Sequence, residues 1–85
     1  MHKIEDLNIW KKLMELTNAI YHLTSELSSD EKYELNSEIK RSTISIPSHI
    51  AEGAGRNSNK EFKYFLSVSY GSAHELQTRL NLLTE

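Results

Sequence analysis

Residues 35–55, LNSEIKRSTISIPSHIAEGAG, decide the fold of this chain. Apolar side chains, with one threonine among them, recur in this stretch at helical spacing: Leu35, Ile39, Thr43, Ile46 and Ile50. Pro47 lies inside the pattern and cannot donate a hydrogen bond to the carbonyl of Thr43, yet the apolar phase continues past it without a slip. We therefore predict one continuous, bent helix across Pro47 that ends at the Gly-Ala-Gly of residues 53–55.

A first helix is predicted upstream, at residues 7–27. It carries two adjacent stripes of mostly apolar side chains: Leu13, Leu16, Ile20, Leu23 and Leu27 in one, and Trp10, Met14, Thr17, Tyr21 and Thr24 in the other. Together the two stripes cover more of the helix surface than packing against a single neighbour requires. We therefore expect this helix to touch two partners.

Two Ser-x-x-Glu patterns, which are typical of helix starts, mark the remaining boundaries. Ser28 and Glu31 mark the start of the helix that contains Pro47, and Ser58 and Glu61 mark the start of a third helix. The predicted helices thus span about 7–27, 30–53 and 59–84, within a single all-α domain at 1–85.

The third helix has an apolar face that continues almost to the last residue: Phe62, Phe65, Leu66, Ser69, Ala73, Leu76, Leu80 and Leu83. Small residues surround Gly71 on this helix, and small side chains let another backbone approach closely. We expect Leu76, Leu80 and Leu83 to be covered by a neighbouring subunit or by the first helix of the same chain.

Composition limits the class of protein. The chain has 85 residues, and a domain of this length still exposes about 40% of its unfolded surface, so self-association would add useful burial. The absence of cysteine excludes disulfides and Cys-based zinc sites and predicts a reducing compartment. The sequence contains neither a signal peptide nor a membrane-spanning run of apolar residues, so we expect a cytoplasmic protein.

No residue pattern points to catalysis. The four histidines, at 2, 22, 49 and 74, lack the paired Glu-x-x-His spacing of di-iron bundles, and phosphate-loop and nucleophile-elbow motifs are absent. We predict a non-enzyme without a metal site or cofactor.

Basic residues form two small groups although the net charge is −2. Arg56, Lys60 and Lys63 lie around the start of the third helix, and Lys40 and Arg41 form a second pair. These five residues are the candidate contacts for RNA phosphates, with modest and salt-dependent affinity. The alternative is a solvated helix face on which Lys60 and its neighbours balance Glu61.

Residues 40–56, KRSTISIPSHIAEGAGR, followed by Ser58, Lys60, Glu61, Phe62, Phe65 and Leu66, resemble the four-helix-bundle proteins encoded by intervening sequences of bacterial 23S ribosomal RNA genes. The D-L-x-I-W-x-K of residues 6–12 and the G-S-x-x-E-L of residues 71–76 resemble the same family. The likeness therefore covers nearly the whole chain. A related branch of that family resembles the accessory protein of diversity-generating retroelements, which assists a reverse transcriptase and binds nucleic acid through a basic surface.

This resemblance implies an antiparallel four-helix bundle of the up-and-down type, assembly into homopentameric rings, and no established enzymatic activity. Because three helices are predicted, we expect the fourth to be missing or supplied by another subunit. We predict a homo-oligomeric assembly or interaction protein, with RNA, a ribonucleoprotein or a reverse transcriptase as candidate partners; the alternative is a direct nucleic-acid-binding protein. The candidate oligomer interface consists of Trp10, Met14, Tyr21, Leu76, Leu80 and Leu83.

Overall fold

The structure, a computed structural model, describes residues 3–26 and 32–83. A short 3-10 turn at Ile4–Asp6 leads into three α-helices: α1 at Asn8–Glu26, α2 at Tyr33–Ala54 and α3 at Asn59–Leu83. Those residues contain no strand, which confirms the all-α prediction, and each described helix end lies within three residues of its predicted position. The predicted start of the second helix at Ser28 and Glu31 lies outside the described residues.

The middle helix, α2, is the one against which both other helices pack. It packs extensively against α3 and less extensively against α1, whereas direct contact between α1 and α3 is slight. The buried apolar side chains come from all three helices: Ile20, Ile39, Ile46, Ile50 and Leu76. The result is an elongated body of 44 × 20 × 15 Å with a radius of gyration of 14.0 Å, against roughly 12 Å for a compact chain of this length.

The helix around Pro47 is continuous, as the apolar phase predicted. Pro47 is buried, and so is the neighbouring Thr43, whose hydroxyl donates a 2.6 Å hydrogen bond to the carbonyl of Ile39. The hydrogen bond of Thr43 and the burial of Pro47 both occur within a helix that continues through the proline.

Small residues let α2 and α3 approach closely. A Cβ atom on Gly53 would lie 2.7 Å from Cβ of Phe65, so a side chain there would collide with α3. Further along the pair, the Ser69 hydroxyl donates to the carbonyl of Ile46 at 2.9 Å. Gly71, by contrast, has open space around it, with nothing within 4 Å of a built Cβ. Ser69 of α3 therefore lies against the backbone of α2, whereas Gly71 faces outward.

The start of α3 follows the predicted capping pattern. The backbone N–H of Glu61 donates to the hydroxyl of Ser58 at 3.1 Å, which satisfies one of the amides left unpaired at a helix start. The turn between α2 and α3 spans only residues 55–58, and it carries Arg56 close to the start of α3.

Candidate interaction surfaces

An open apolar groove runs between α1 and α3, with α2 as its floor. We call it the leucine groove; it has a volume of about 400 Å³ and is lined by Leu13, Leu16, Ile20, Ile46, Ala73, Leu76, Gln77, Leu80 and Asn81. Leu16, on its α1 wall, remains 49% exposed. Ile9 and Leu23 are also exposed and lie seven residues to either side of Leu16, so the apolar rim extends along α1.

A second apolar groove lies on the other side of α1, between α1 and α2. This tryptophan groove has a volume of about 460 Å³ and is lined by Trp10, Met14, Thr17, Asn18, Tyr21, Ile44, Pro47, Ser48 and Ala51. At one end, Nζ of Lys40 lies 4.9 Å from the centre of the Tyr21 ring, a cation–π contact. The two stripes predicted on α1 thus face two different grooves, and within the chain α1 packs mainly against α2.

Five of the six residues predicted as an oligomer interface line these two grooves, and Leu83 lines neither. Trp10, Met14 and Tyr21 line the tryptophan groove, while Leu76 and Leu80 line the leucine groove. Leu76 is already buried within the chain, and Leu80 and Leu83 are partly buried against the core. The structure thus places three of these residues on one side of α1 and two on the other, and their role in an oligomer interface stays a prediction.

A third concavity, the basic cleft, lies at the turn between α2 and α3. It is lined by Arg56, Ser58, Lys60, Glu61, Tyr64 and Phe65 and has a volume of about 570 Å³. Arg56 is anchored twice: its Nη2 lies 3.3 Å from Oε1 of Glu52, and its guanidinium lies 5.0 Å from the centre of the Phe65 ring. Of the five predicted nucleic-acid contacts, Arg56 and Lys60 line this cleft, and Lys63 is exposed three residues further along α3.

The other two predicted contacts lie elsewhere. Arg41 is exposed on α2, thirteen residues before the helix ends at Ala54, a separation of about 20 Å along the axis. Lys40 is turned toward α1, over Tyr21. The structure thus separates the five basic residues into an end patch and a mid-helix pair.

Arg79 is an ionic link between helices that the sequence did not single out. From α3, its Nε lies 3.5 Å from Oε2 of Glu38 on α2, and its Nη1 lies 3.3 Å from Oε2 of Glu75. The same Nη1 donates a hydrogen bond to the Ser42 hydroxyl. Glu75 and Arg79 are four residues apart, so that half of the link was visible in the sequence. The contacts to α2 depend on the packing of the two helices.

His49 belongs to a polar chain inside the α2–α3 interface. Its Nδ1 lies 3.0 Å from the Ser45 hydroxyl, which in turn lies 2.9 Å from the Ser72 hydroxyl. The His49 ring also stacks at 6.3 Å on Phe65. None of Ser45, His49 and Ser72 lines the two grooves or the basic cleft. These contacts connect α2 with α3.

Within residues 3–26 and 32–83, no group of three or more His, Asp or Glu side chains is placed to hold a metal ion. No helix in that part of the chain is both long and apolar enough to cross a bilayer.

Comparison with known proteins identifies one family. Its profile, described as 23S rRNA-intervening sequence protein, matches residues 5–85 of the chain. Neither the comparison with curated proteins nor that with solved structures finds a match.

Proposed function

The chain belongs to the family of 23S rRNA-intervening sequence proteins, and from this premise we propose that it is a non-enzymatic, homo-oligomeric helical-bundle protein that acts by binding partners. The observation that carries the proposal is the pair of open apolar grooves flanking α1. Large contiguous apolar surfaces are rare on monomers and are typical of interfaces.

In this proposal the side of α1 that carries Trp10, Met14 and Tyr21, which we call the tryptophan face, packs into the leucine groove of the next subunit. A neighbour's helix laid in that groove would complete a four-helix, up-and-down arrangement. The contact joins two different surfaces, so each of the two subunits keeps its other surface free for a further neighbour. Head-to-tail contacts of this kind close into rings, of which a pentamer is the form that the family resemblance implies.

The absence of catalytic activity is part of the same proposal. The nearest arrangement to a nucleophile with a base is Ser45 beside His49, whose Nδ1 also lies 2.8 Å from the carbonyl of Ser45. A carbonyl only accepts, so the 2.8 Å contact is a hydrogen bond in the tautomer that carries its proton on Nδ1, and in that tautomer this nitrogen cannot act as a base. The lack of cysteine supports a cytoplasmic location.

The test measures oligomer mass by light scattering for the wild type and for two leucine variants. We expect a wild-type mass well above the 9.8 kDa of one chain. Leu16→Glu, in the leucine groove, should lower that mass toward the monomer, since an interface would bury its carboxylate. Leu82→Glu is the matched control, because Leu82 is 48% exposed and lines neither groove.

Both replaced leucines are half exposed in the single chain, so the helical circular dichroism of each variant should match that of the wild type. A monomeric wild type at micromolar concentration would contradict the proposal. So would an unchanged oligomer mass for Leu16→Glu.

A second candidate function, direct binding of nucleic acid, is favoured by the exposed cations of the basic cleft. Arg56 and Lys60 line the cleft, and Lys63 is exposed three residues after Lys60 on α3, so three cations lie near this end of the molecule. The binding constant for labelled RNA should then fall with added salt, and Lys60→Gln should flatten that dependence. A binding constant independent of salt would remove this candidate, and the RNA or ribonucleoprotein partner with it.

A further inference from the structure

We propose that the basic cleft binds an unpaired base of a single-stranded nucleic acid, with the base stacked on the ring of Tyr64. The proposal rests on the second candidate function, nucleic-acid binding at this end of the molecule. Beyond that function, it specifies that an unpaired base is recognised and that Tyr64 recognises it.

Tyr64 is placed as a stacking platform. It lines the cleft and is 64% exposed, so its ring is accessible from solvent. Its ring meets Phe65 edge to face, with centroids 5.2 Å apart and an interplanar angle of 79°. This contact supports the ring from one side and leaves the ring accessible to a base.

Phe65 serves as the support and not as a second platform. Arg56 lies over its ring at 5.0 Å, and His49 stacks on it at 6.3 Å, so the ring is already occupied. The guanidinium of Arg56 is thereby held at the cleft, close to where the phosphate of a stacked nucleotide would lie.

The surrounding charges favour a phosphate near the platform, but weakly. Lys60 precedes Tyr64 by four residues and therefore lies beside it on the same helix face. Glu61 in the cleft and Glu52 on Arg56 offset part of the positive charge. With three cations at most engaged, the slope of log K against log salt should not exceed about −2 for a single strand.

The arrangement suits an unpaired base better than a duplex. Bases in a duplex are stacked on each other, so their faces are unavailable to a tyrosine ring. The cleft, of about 570 Å³, is large enough to admit one nucleotide.

The experiment measures fluorescence anisotropy of a labelled single-stranded RNA, the DNA of the same sequence, and the duplex of each, with the full chain. Tyr64→Ala should weaken single-strand binding about 5- to 150-fold, the equivalent of one lost base stack. Tyr64→Phe should bind like the wild type because the ring remains. Tyr70→Ala is the matched control: Tyr70 is 67% exposed on the same helix, outside the cleft, with its ring 4.5 Å from that of His74.

Comparable binding of the RNA and DNA single strands is expected, because ring stacking does not read the 2′-hydroxyl. Equal binding of single strand and duplex would overturn the proposal. If Lys60→Gln weakened binding and Tyr64→Ala did not, the stacking site would be wrong while nucleic-acid binding stood. If no single strand bound, both would fail. Loss of binding in Tyr64→Phe would also contradict stacking, because it would assign the effect to the hydroxyl.

Discussion

Gly53 and Gly71 are two helical glycines with opposite surroundings, and they make a matched pair for mutation. Gly53→Ala should lower the free energy of unfolding by about 1–3 kcal/mol, because its Cβ would lie 2.7 Å from Cβ of Phe65. Gly71→Ala should raise it by up to about 1 kcal/mol, since nothing lies within 4 Å and alanine favours a helix. Urea unfolding would measure both. Equal effects would show that α2 and α3 do not meet closely at Gly53.

Asn36 is a buried polar residue on α2 with an unusual environment. Its side chain is 5% exposed, and neither Oδ1 nor Nδ2 has a hydrogen-bond partner in the described part of the chain. Burying an unpaired amide is unfavourable, so Asn36→Leu, which has the same branching, should stabilise the protein by about 1–3 kcal/mol. Thermal unfolding should show a higher midpoint for Asn36→Leu and a lower one for Asn36→Asp. A lower midpoint for the leucine variant would indicate that the amide is paired in solution.

At the scale of single helices, the start of α3 gives a direct test of capping. Ser58→Ala removes the hydroxyl that accepts from the Glu61 amide, and should lower the free energy of unfolding by about 1 kcal/mol. Ser67→Ala, at an exposed position within the same helix, should be neutral or slightly stabilising. Chemical denaturation of both variants would check this. Equal values for the two would mean that the hydroxyl does not cap the helix.

The helices could be predicted from the sequence because their signals are local. The apolar phase through Pro47 gave a continuous α2, and Ser58 marked the start of α3, since each depends on residues within a turn or two. Interactions between helices could not be predicted in this way. Arg79 reaches Glu38 and Ser42 only because of how α3 lies on α2, which no spacing within either helix encodes.

The candidate site was predictable in part for the same reason. Arg56, Lys60 and Lys63 are close in sequence and are neighbours in the structure, whereas Lys40 and Arg41 are far along α2. Tyr64 was missed because aromatic residues on an amphipathic helix usually face the core. Its position one residue from the apolar stripe at Phe65 was the signal that could have placed it outside.

At the scale of the whole molecule, two different grooves predict a mixing experiment. Leu16→Glu alters the leucine groove and Tyr21→Glu alters the tryptophan groove, so each variant alone should be monomeric. In an equal mixture, the intact leucine groove of one variant can receive the intact tryptophan face of the other. Such a pair leaves no intact surface for a third chain, so light scattering should report the mass of two chains.

An interface between two like surfaces would behave differently in this mixture. Each variant would then disable either both halves of the contact or neither, and mixing would leave the masses unchanged. That result would contradict the head-to-tail arrangement, whatever the mass of the wild type.

The slight contact between α1 and α3 has a consequence for how the protein opens. Since α1 packs mainly against α2, we expect its amides to exchange with deuterated water when α1 alone detaches. The amides of α2 and α3 should exchange only when a larger part of the structure unfolds. A neighbouring subunit seated against α1 would suppress this detachment. Protection of the α1 amides from exchange should therefore rise with protein concentration, while protection of the α2 amides should change little. In this arrangement α1 reaches its full stability only in the assembled protein.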